Sequence, residues 1–411
     1  MARFEGALAV ASARAGLFSE SHAEMIARVC ERATFDASAL AREARTAGTL
    51  AIPFVAALRA QVPAEAARYV HFGATSQDVM DTAVALCVKA AAERITSLAV
   101  ELGDAAAALA RRHASTPTVA RTLLQPAAPV PFGWKAAMWL APLARALPHW
   151  RAAVDGACAL QLGGAAGTLS AFQEKGPGIA EELARELMLK NSVTWHSARD
   201  GFARLGSELA ILTGISAKIA RDVTLLMQPE VGEVTEPTAP GRGGSSSMPH
   251  KHNPSGSLLA LEAAQRAPAL AATLLGELAP EHERGIGQWQ SQWFTLRALA
   301  LGASSALAAT AEVLKGLEVD AAAMRANLER GRGLVFSEAV SLRLSRALAD
   351  RLCEKAAREK KHLLDVMRTD AEVCAHMSVA ELDALFDAEK SFGAAGAMIE
   401  RVLADWQAQC A

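Results

Sequence analysis

An all-α fold is what this sequence predicts, and three observations carry the prediction. Of the 411 residues, 51% are hydrophobic yet only 5% are aromatic. Much of the remainder is alanine, the best helix former and a residue that lets helices pack closely. Apolar positions recur at steps of three and four over long stretches, the period of a helix face. No alternation of strand-length and helix-length segments suggests βαβ units, and no internal repeat is visible.

The clearest stripe runs through Phe202, Leu205, Leu209, Leu212, Ile215, Ile219, Val223 and Leu226. It predicts one helix of about seven turns or more. Ile95, Leu98, Leu102 and Leu109 mark a second, and residues 255–278 and 294–318 two more. Helices this long point to an elongated bundle, and apolar stripes on them favour burial between subunits. Breakers lie between them: Pro117, Pro126, Pro129 and Pro131 within 114–131, then Gly163, Gly164 and Gly167. Residues 229–254 form the longest non-helical segment. These interruptions divide the chain into an N-terminal helical domain (1–110), a central long-helix bundle (111–338) and a C-terminal helical domain (339–411). The N-terminal Ala-rich run contains Glu5 and Arg14, and it reads as a helix entering the fold rather than a signal peptide.

Several function classes are excluded. A net charge of −2 offers no footprint for nucleic acid. No stretch of some twenty apolar residues is free of charge, so no membrane span is expected. The six cysteines are scattered without CxxC spacing, as expected of small buried hydrophobes in a reducing cytoplasm. No phosphate loop, dinucleotide fingerprint or nucleophile elbow is present. His250 and His252 form an HxH pair, but Lys251 between them repels a cation, so neither a metal nor a cofactor is expected.

Four segments offer chemistry. The run from Gly241 to Pro254 joins glycines and three serines (Ser245, Ser246, Ser247) to Met248, Pro249, His250, Lys251, His252 and Asn253. By composition it reads equally as a Gly/Ser linker or as a mobile lid carrying cationic donors for an anionic substrate. Thr75, Ser76 and Gln77, with His71 upstream, place short donors at a predicted helix start, where carboxylates are well held. An ordinary Thr/Ser cap reinforced by Asp78 is the plainer reading, and His71 alone reads as structural. Gln125, after Arg121, is either a polar contact in an apolar pocket or a structural hydrogen-bonding residue. Arg284 suits a carboxylate clamp, or else an exposed helix surface. Trp289 and Trp293, four apart, read as core.

The order of residues resolves the first of these. GSSSMPHKHNP resembles the GSSxMPxKxNP signature of the fumarase/aspartase superfamily. HFGATSQDVMDT is similar to HWGATSQDxxDT of that family's bacterial 3-carboxy-cis,cis-muconate cycloisomerase branch. GGAAGTL at 163–169, the run 220–234 and Trp195–Asp200 fit the same pattern, and the similarity spans roughly residues 5–345. The chain begins within the family's first helical segment. The resemblance implies a three-domain fold with a long central bundle, a homotetramer, and active sites each built by three segments from three subunits. It gives Ser245 the proton transfer, and gives Lys251 and Asn253 the substrate carboxylate and its aci-carboxylate intermediate; because an alcohol is a poor acid, His250, Lys251 or the dipoles of the closed loop must tune Ser245. Thr75, Ser76 and Gln77 bind a carboxylate, and His71, Gln125, Ser246 and Arg284 complete the expected binding set.

The departures from the pattern are informative. Where family members that eliminate amine or water read T-H-G-Q, this chain has Thr122, Leu123, Leu124 and Gln125. Protonating a poor leaving group matters by about 10²–10⁴-fold, whereas a carboxylate with a pKa of about 4 is already ionised at neutral pH. The missing histidine therefore favours lactonisation of a small tricarboxylate. An adenylosuccinate-lyase-like C–N lyase is the alternative, and a catalytically silent ligand-binding tetramer is a third. His252 stands where the branch has arginine, and Gln290 and Gln292 where it often has His and Glu.

Overall fold

The computed structural model describes residues 1–410. Five helices dominate it: Ser76–Arg112, Phe132–Ala157, Asp200–Leu226, Ser255–Gly276 and Gln288–Lys315. The stripe from Phe202 to Leu226 lies on the third of these. The last begins six residues earlier than its apolar pattern suggests, because Trp289 packs into the core and brings Gln288 to Trp293 into the helix.

The proline-rich segment is more than an interruption. It forms an antiparallel hairpin, Pro117–Thr122 with Gln125–Pro131. Four prolines are compatible with such a two-stranded sheet because each strand has an edge that needs no ladder donor. Leu123 and Leu124 form its turn with φ of 49° and 63°, the left-handed region that hairpin turns demand. A second, minimal pairing joins Val234–Thr235 to Glu318–Val319.

Backbone contacts divide the chain into two compact units that interleave in sequence. One comprises Met1–Thr96, His149–Ile211 and Arg266–Ala303; the other comprises Ser97–Pro148, Leu212–Gln265 and the chain from Ser304 onward. Each of the five long helices contributes residues to both. The first unit is built on a core of Phe4, Leu8, Val79, Leu160, Phe172, Ile179 and Leu183, and a second cluster holds Ile26, Phe54, Leu58 and Val70. In the second unit Ala220, Ala260, Ala263 and Ala306 meet in an all-alanine contact, the close helix packing that the composition implies. A separate helical cluster there packs Val340, Leu352, Leu363, Val366 and Met367.

One sequence expectation needs correction. Only Cys158 is buried; Cys30 and Cys353 are half-buried and Cys87, Cys374 and Cys410 are exposed. All six are free thiols, small enough for an outer helix face to carry them at little cost. Ser255–Gly276 and Gln288–Lys315 are long and apolar enough to cross a membrane by composition alone. Leu258, Leu259, Leu275, Phe294 and Leu301 on these helices are exposed, which leaves apolar faces on them uncovered within the chain.

Candidate active site

In the first unit the segment His71–Asp78 turns into the N-terminus of Ser76–Arg112. Gly73 makes the turn with φ of 70°, and a Cβ there would lie 2.4 Å from the Phe172 ring, so both backbone angle and space require glycine. Asp78, read as a cap, is a buried hub. Its Oδ2 accepts from the Thr75 amide (2.9 Å), the Thr75 hydroxyl (3.1 Å) and the Gly164 amide (3.0 Å). Its Oδ1 accepts from the Gly163 amide (3.0 Å) and Gln161 Nε2 (3.2 Å) and is 2.9 Å from His196 Nε2. Burial pushes its pKa up, but the hydrogen bond and charge of His196, with the Gln161 and Thr75 donors, outweigh it. The carboxyl is held below its ordinary range and stays ionised.

This hub fixes what surrounds the helix start. Gln77 is fully buried; its amide donates to His196 O at 3.0 Å, and its Oε1 accepts from Arg284 Nε at 2.9 Å. Arg284 Nη2 also reaches Thr75 Oγ1 (3.4 Å) and Gly164 O (3.3 Å). Arg284 is thus no exposed helix-surface residue: it lies in the loop before Gln288–Lys315, half-buried. No partner among the described residues engages its Nη1, so one arm of the fork remains for a carboxylate. Ser76 is half-buried beside it. His71, at φ 63°, pairs its Nδ1 with Glu5 at 2.7 Å, which holds the ring in one orientation.

A second buried network lies on the next turn. Arg199 pairs with both oxygens of Asp81 (2.6 and 3.1 Å), donates to Gln292, and lies over the Trp195 ring at 4.8 Å. Gln292 therefore takes a neutral acceptor's place opposite a guanidinium already neutralised by Asp81. Gln290 accepts from the Gly287 amide at 3.1 Å. Trp289 is buried and meets Trp293 edge to face at 4.9 Å.

In the second unit the serine loop is pinned at its ends and open between. The Asn253 amide donates to Gly243 O at 2.7 Å, and Asn253 Nδ2 to Gly244 O at 3.3 Å. Gly243 has φ of 70°, and a Cβ there would meet Asn253 O at 2.8 Å. Arg242 pairs with Glu312. Buried Glu236 accepts the first amides of Ser255–Gly276, from Gly256 and Ser257, each at 2.9 Å. Between these anchors Ser246, His250, Lys251 and His252 are exposed. Ser245 is half-buried, and its oxygen accepts from the Met248 amide (3.1 Å) and the Ser247 amide (3.4 Å). Backbone dipoles aimed at that oxygen stabilise an alkoxide, the form left when the hydroxyl gives up its proton.

Gln125 makes none of the hydrogen bonds that a structural role would require. It stands exposed beside the hairpin turn, and its side chain has no hydrogen-bond partner among the described residues. Leu123 at the tip is 97% exposed, so the position supplies neither packing nor a proton-transferring group. The structure thus gathers Thr75, Gln77 and Arg284 into one cluster and Ser245 and Asn253 into another. Sequence reasoning missed the hub role of Asp78 and its partners Gln161 and His196. The available signal was two aspartates, Asp78 and Asp81, one turn apart in the apolar first turns of their helix.

Comparison with known proteins agrees with these motifs. A lyase family profile matches residues 1–268. The chain is 48% identical over 415 residues to a 3-carboxy-cis,cis-muconate cycloisomerase of Bradyrhizobium diazoefficiens, covering 98% of this chain and 92% of that one. It is 40% identical to a nitrosuccinate lyase of Streptomyces davaonensis, over 98% and 89% of the two chains. The crystal structure of a 3-carboxy-cis,cis-muconate lactonizing enzyme from Pseudomonas putida superposes with a TM-score of 0.94 at 41% identity, covering 100% and 94%.

Proposed function

Because the chain belongs to the lyase family of the fumarase/aspartase superfamily, we propose that it is a cytoplasmic cycloisomerase that lactonises 3-carboxy-cis,cis-muconate. The observation that carries this reading is Leu123. Where eliminating members of the family hold a histidine, this chain presents an aliphatic side chain on an exposed turn. A carboxylate nucleophile needs no group there to take or supply a proton.

One substrate carboxylate attacks a C=C bond conjugated with another, forming the ring C–O bond. The π pair moves onto the second carboxylate as an aci-carboxylate. Lys251 and Asn253 stabilise that charge, and Thr75, Ser76, Gln77 and Arg284, with His71, hold the remaining carboxylates. Ser245 delivers the proton to carbon, its alkoxide held by the Met248 and Ser247 amides and returned to neutrality by solvent. His250 assists Ser245, and Gln125 and Ser246 complete the polar surround. Since one carboxylate becomes an ester, each turnover takes up one proton overall. The reading includes a homotetramer in which different subunits furnish the segments of each site. The exposed leucines of Ser255–Gly276 and Gln288–Lys315 provide apolar area for that assembly.

A second reading has one specific support, the 40% identity to a nitrosuccinate lyase. A group that departs as a stable anion also needs no acid at position 123. Incubation with 3-carboxy-cis,cis-muconate separates the two. Loss of diene absorbance with a lactone product and proton uptake is expected. Fumarate released from nitrosuccinate or adenylosuccinate, without diene loss, would overturn the cycloisomerase reading.

A further inference from the structure

Beneath the hairpin, the second unit forms a half-open cavity of about 540 Å³ that the proposed reaction does not use. That volume is in the range of small-molecule sites. Much of its wall is apolar, from Val130, Trp134, Met138 and Leu225, and Leu124 of the hairpin turn closes one side. Three cations also line it: Arg121, Lys135 and Lys218.

Two of the three are neutralised. Arg121 forms a two-pronged pair with buried Glu233 at 2.6 and 3.1 Å, and Glu233 is further held by Thr118 (3.1 Å) and Asn327 (2.7 Å). Lys218 pairs with Asp222, which also accepts from Trp139 Nε1 at 2.7 Å. Lys135 alone has no hydrogen bond or ion pair among the described residues. Burial lowers its pKa; the charge of Glu233 opposes this, and Arg121 adds to the lowering. An unpaired ammonium in an apolar wall is costly to the free protein, and the cost is relieved when an anion sits against it. The apolar wall selects the body that such an anion carries.

We propose that this cavity binds a monocarboxylate with an apolar body, its carboxylate on Lys135 and its body among Trp134, Met138 and Leu225. The site lies apart from the serine loop in sequence and in its contacts, and it stands whether or not the chain lactonises muconates. Because Leu124 lines it, an occupant braces the turn that also carries Leu123 and Gln125.

Benzoate is the probe, titrated calorimetrically into the full-length protein. Saturable binding is expected. Lys135→Met should weaken it by roughly tenfold to a hundredfold, the worth of one hydrogen bond to a charged group. Without benzoate the same variant should melt no lower than the parent, because Lys135 makes no hydrogen bond or ion pair for the substitution to break. Benzamide, equal in shape but uncharged, should bind at least about tenfold more weakly to the parent, a control independent of how any variant folds. Lys251→Ala should leave benzoate affinity unchanged. Absence of saturable binding, equal affinity for benzamide, or loss with Lys251→Ala but not Lys135→Met would each overturn the assignment.

Discussion

The helix-start cradle and the serine loop, both assigned to carboxylates in the proposed reaction, present their donors on opposite kinds of scaffold. In the cradle, Asp78 is buried and surrounded by six polar partners, and Gln77 and Arg284 are locked by side-chain bonds. In the loop, the glycine and asparagine ends are clasped together, while His250, Lys251 and His252 reach into solvent. A site that must hold one carboxylate still and bring a proton to another atom gains from both. Preorganised donors cost no reorganisation when charge develops, and a segment hinged at glycine can exclude water after substrate enters.

Breaking the loop should have the largest effect on turnover. Ser245→Ala should lower kcat by about 10²–10⁴-fold with little change in KM, as expected for a proton-transferring group. Near-parental kcat in stopped-flow assays would remove Ser245 from the mechanism.

Breaking the cradle should instead show first in stability. Asp78→Asn removes a buried charge from donors arranged for it and should cost about 3–5 kcal/mol, as when one partner of a buried pair is lost, read as a lower urea midpoint. Since the folded pKa of Asp78 is depressed, its stabilisation is present above the unfolded value of about 3.9 and is lost as pH falls through the folded value. Urea midpoints measured across that acidic range should therefore fall more steeply for the parent than for Asp78→Asn. Parallel slopes would deny the hub its charge.

Arg284→Lys sharpens the contrast, because lysine keeps the charge and loses the fork. KM should rise about tenfold, roughly 1.4 kcal/mol, with kcat less affected; an unchanged KM would mean the guanidinium holds only Gln77 and Thr75. The smallest effect on stability belongs to Gln125→Ala. At an exposed turn it should shift the unfolding free energy by under about 0.5 kcal/mol, so any loss of activity in that variant reports contact with substrate. A clear drop in Tm would instead show that Gln125 supports the hairpin.

Much of this molecule is readable along the chain. The long stripe from Phe202 to Leu226 became a helix because its apolar steps permit burial in only one regular conformation. The serine loop and the Thr75–Gln77 segment were found because their chemistry is contiguous. The hub was not legible in the same way. Asp78 draws on Gln161, Gly163, Gly164 and His196, more than eighty residues away, and no local pattern distinguishes a cap from such a centre. The hairpin escaped because its prolines signal a break without saying which strand edges they will leave unpaired.

The sequence by itself determined the helical class, the family and the motif segments to which the proposed reaction assigns its chemistry, since composition, periodicity and contiguous motifs are local properties. Tertiary structure alone decided that Arg284 faces Thr75 and Gln77, that Asp78 remains an ionised buried hub, and that Lys135 lacks a partner. Each of those depends on which distant groups share a low-dielectric space, and it is there that a charge becomes a structural support, a binding arm or an unmet demand for an anion.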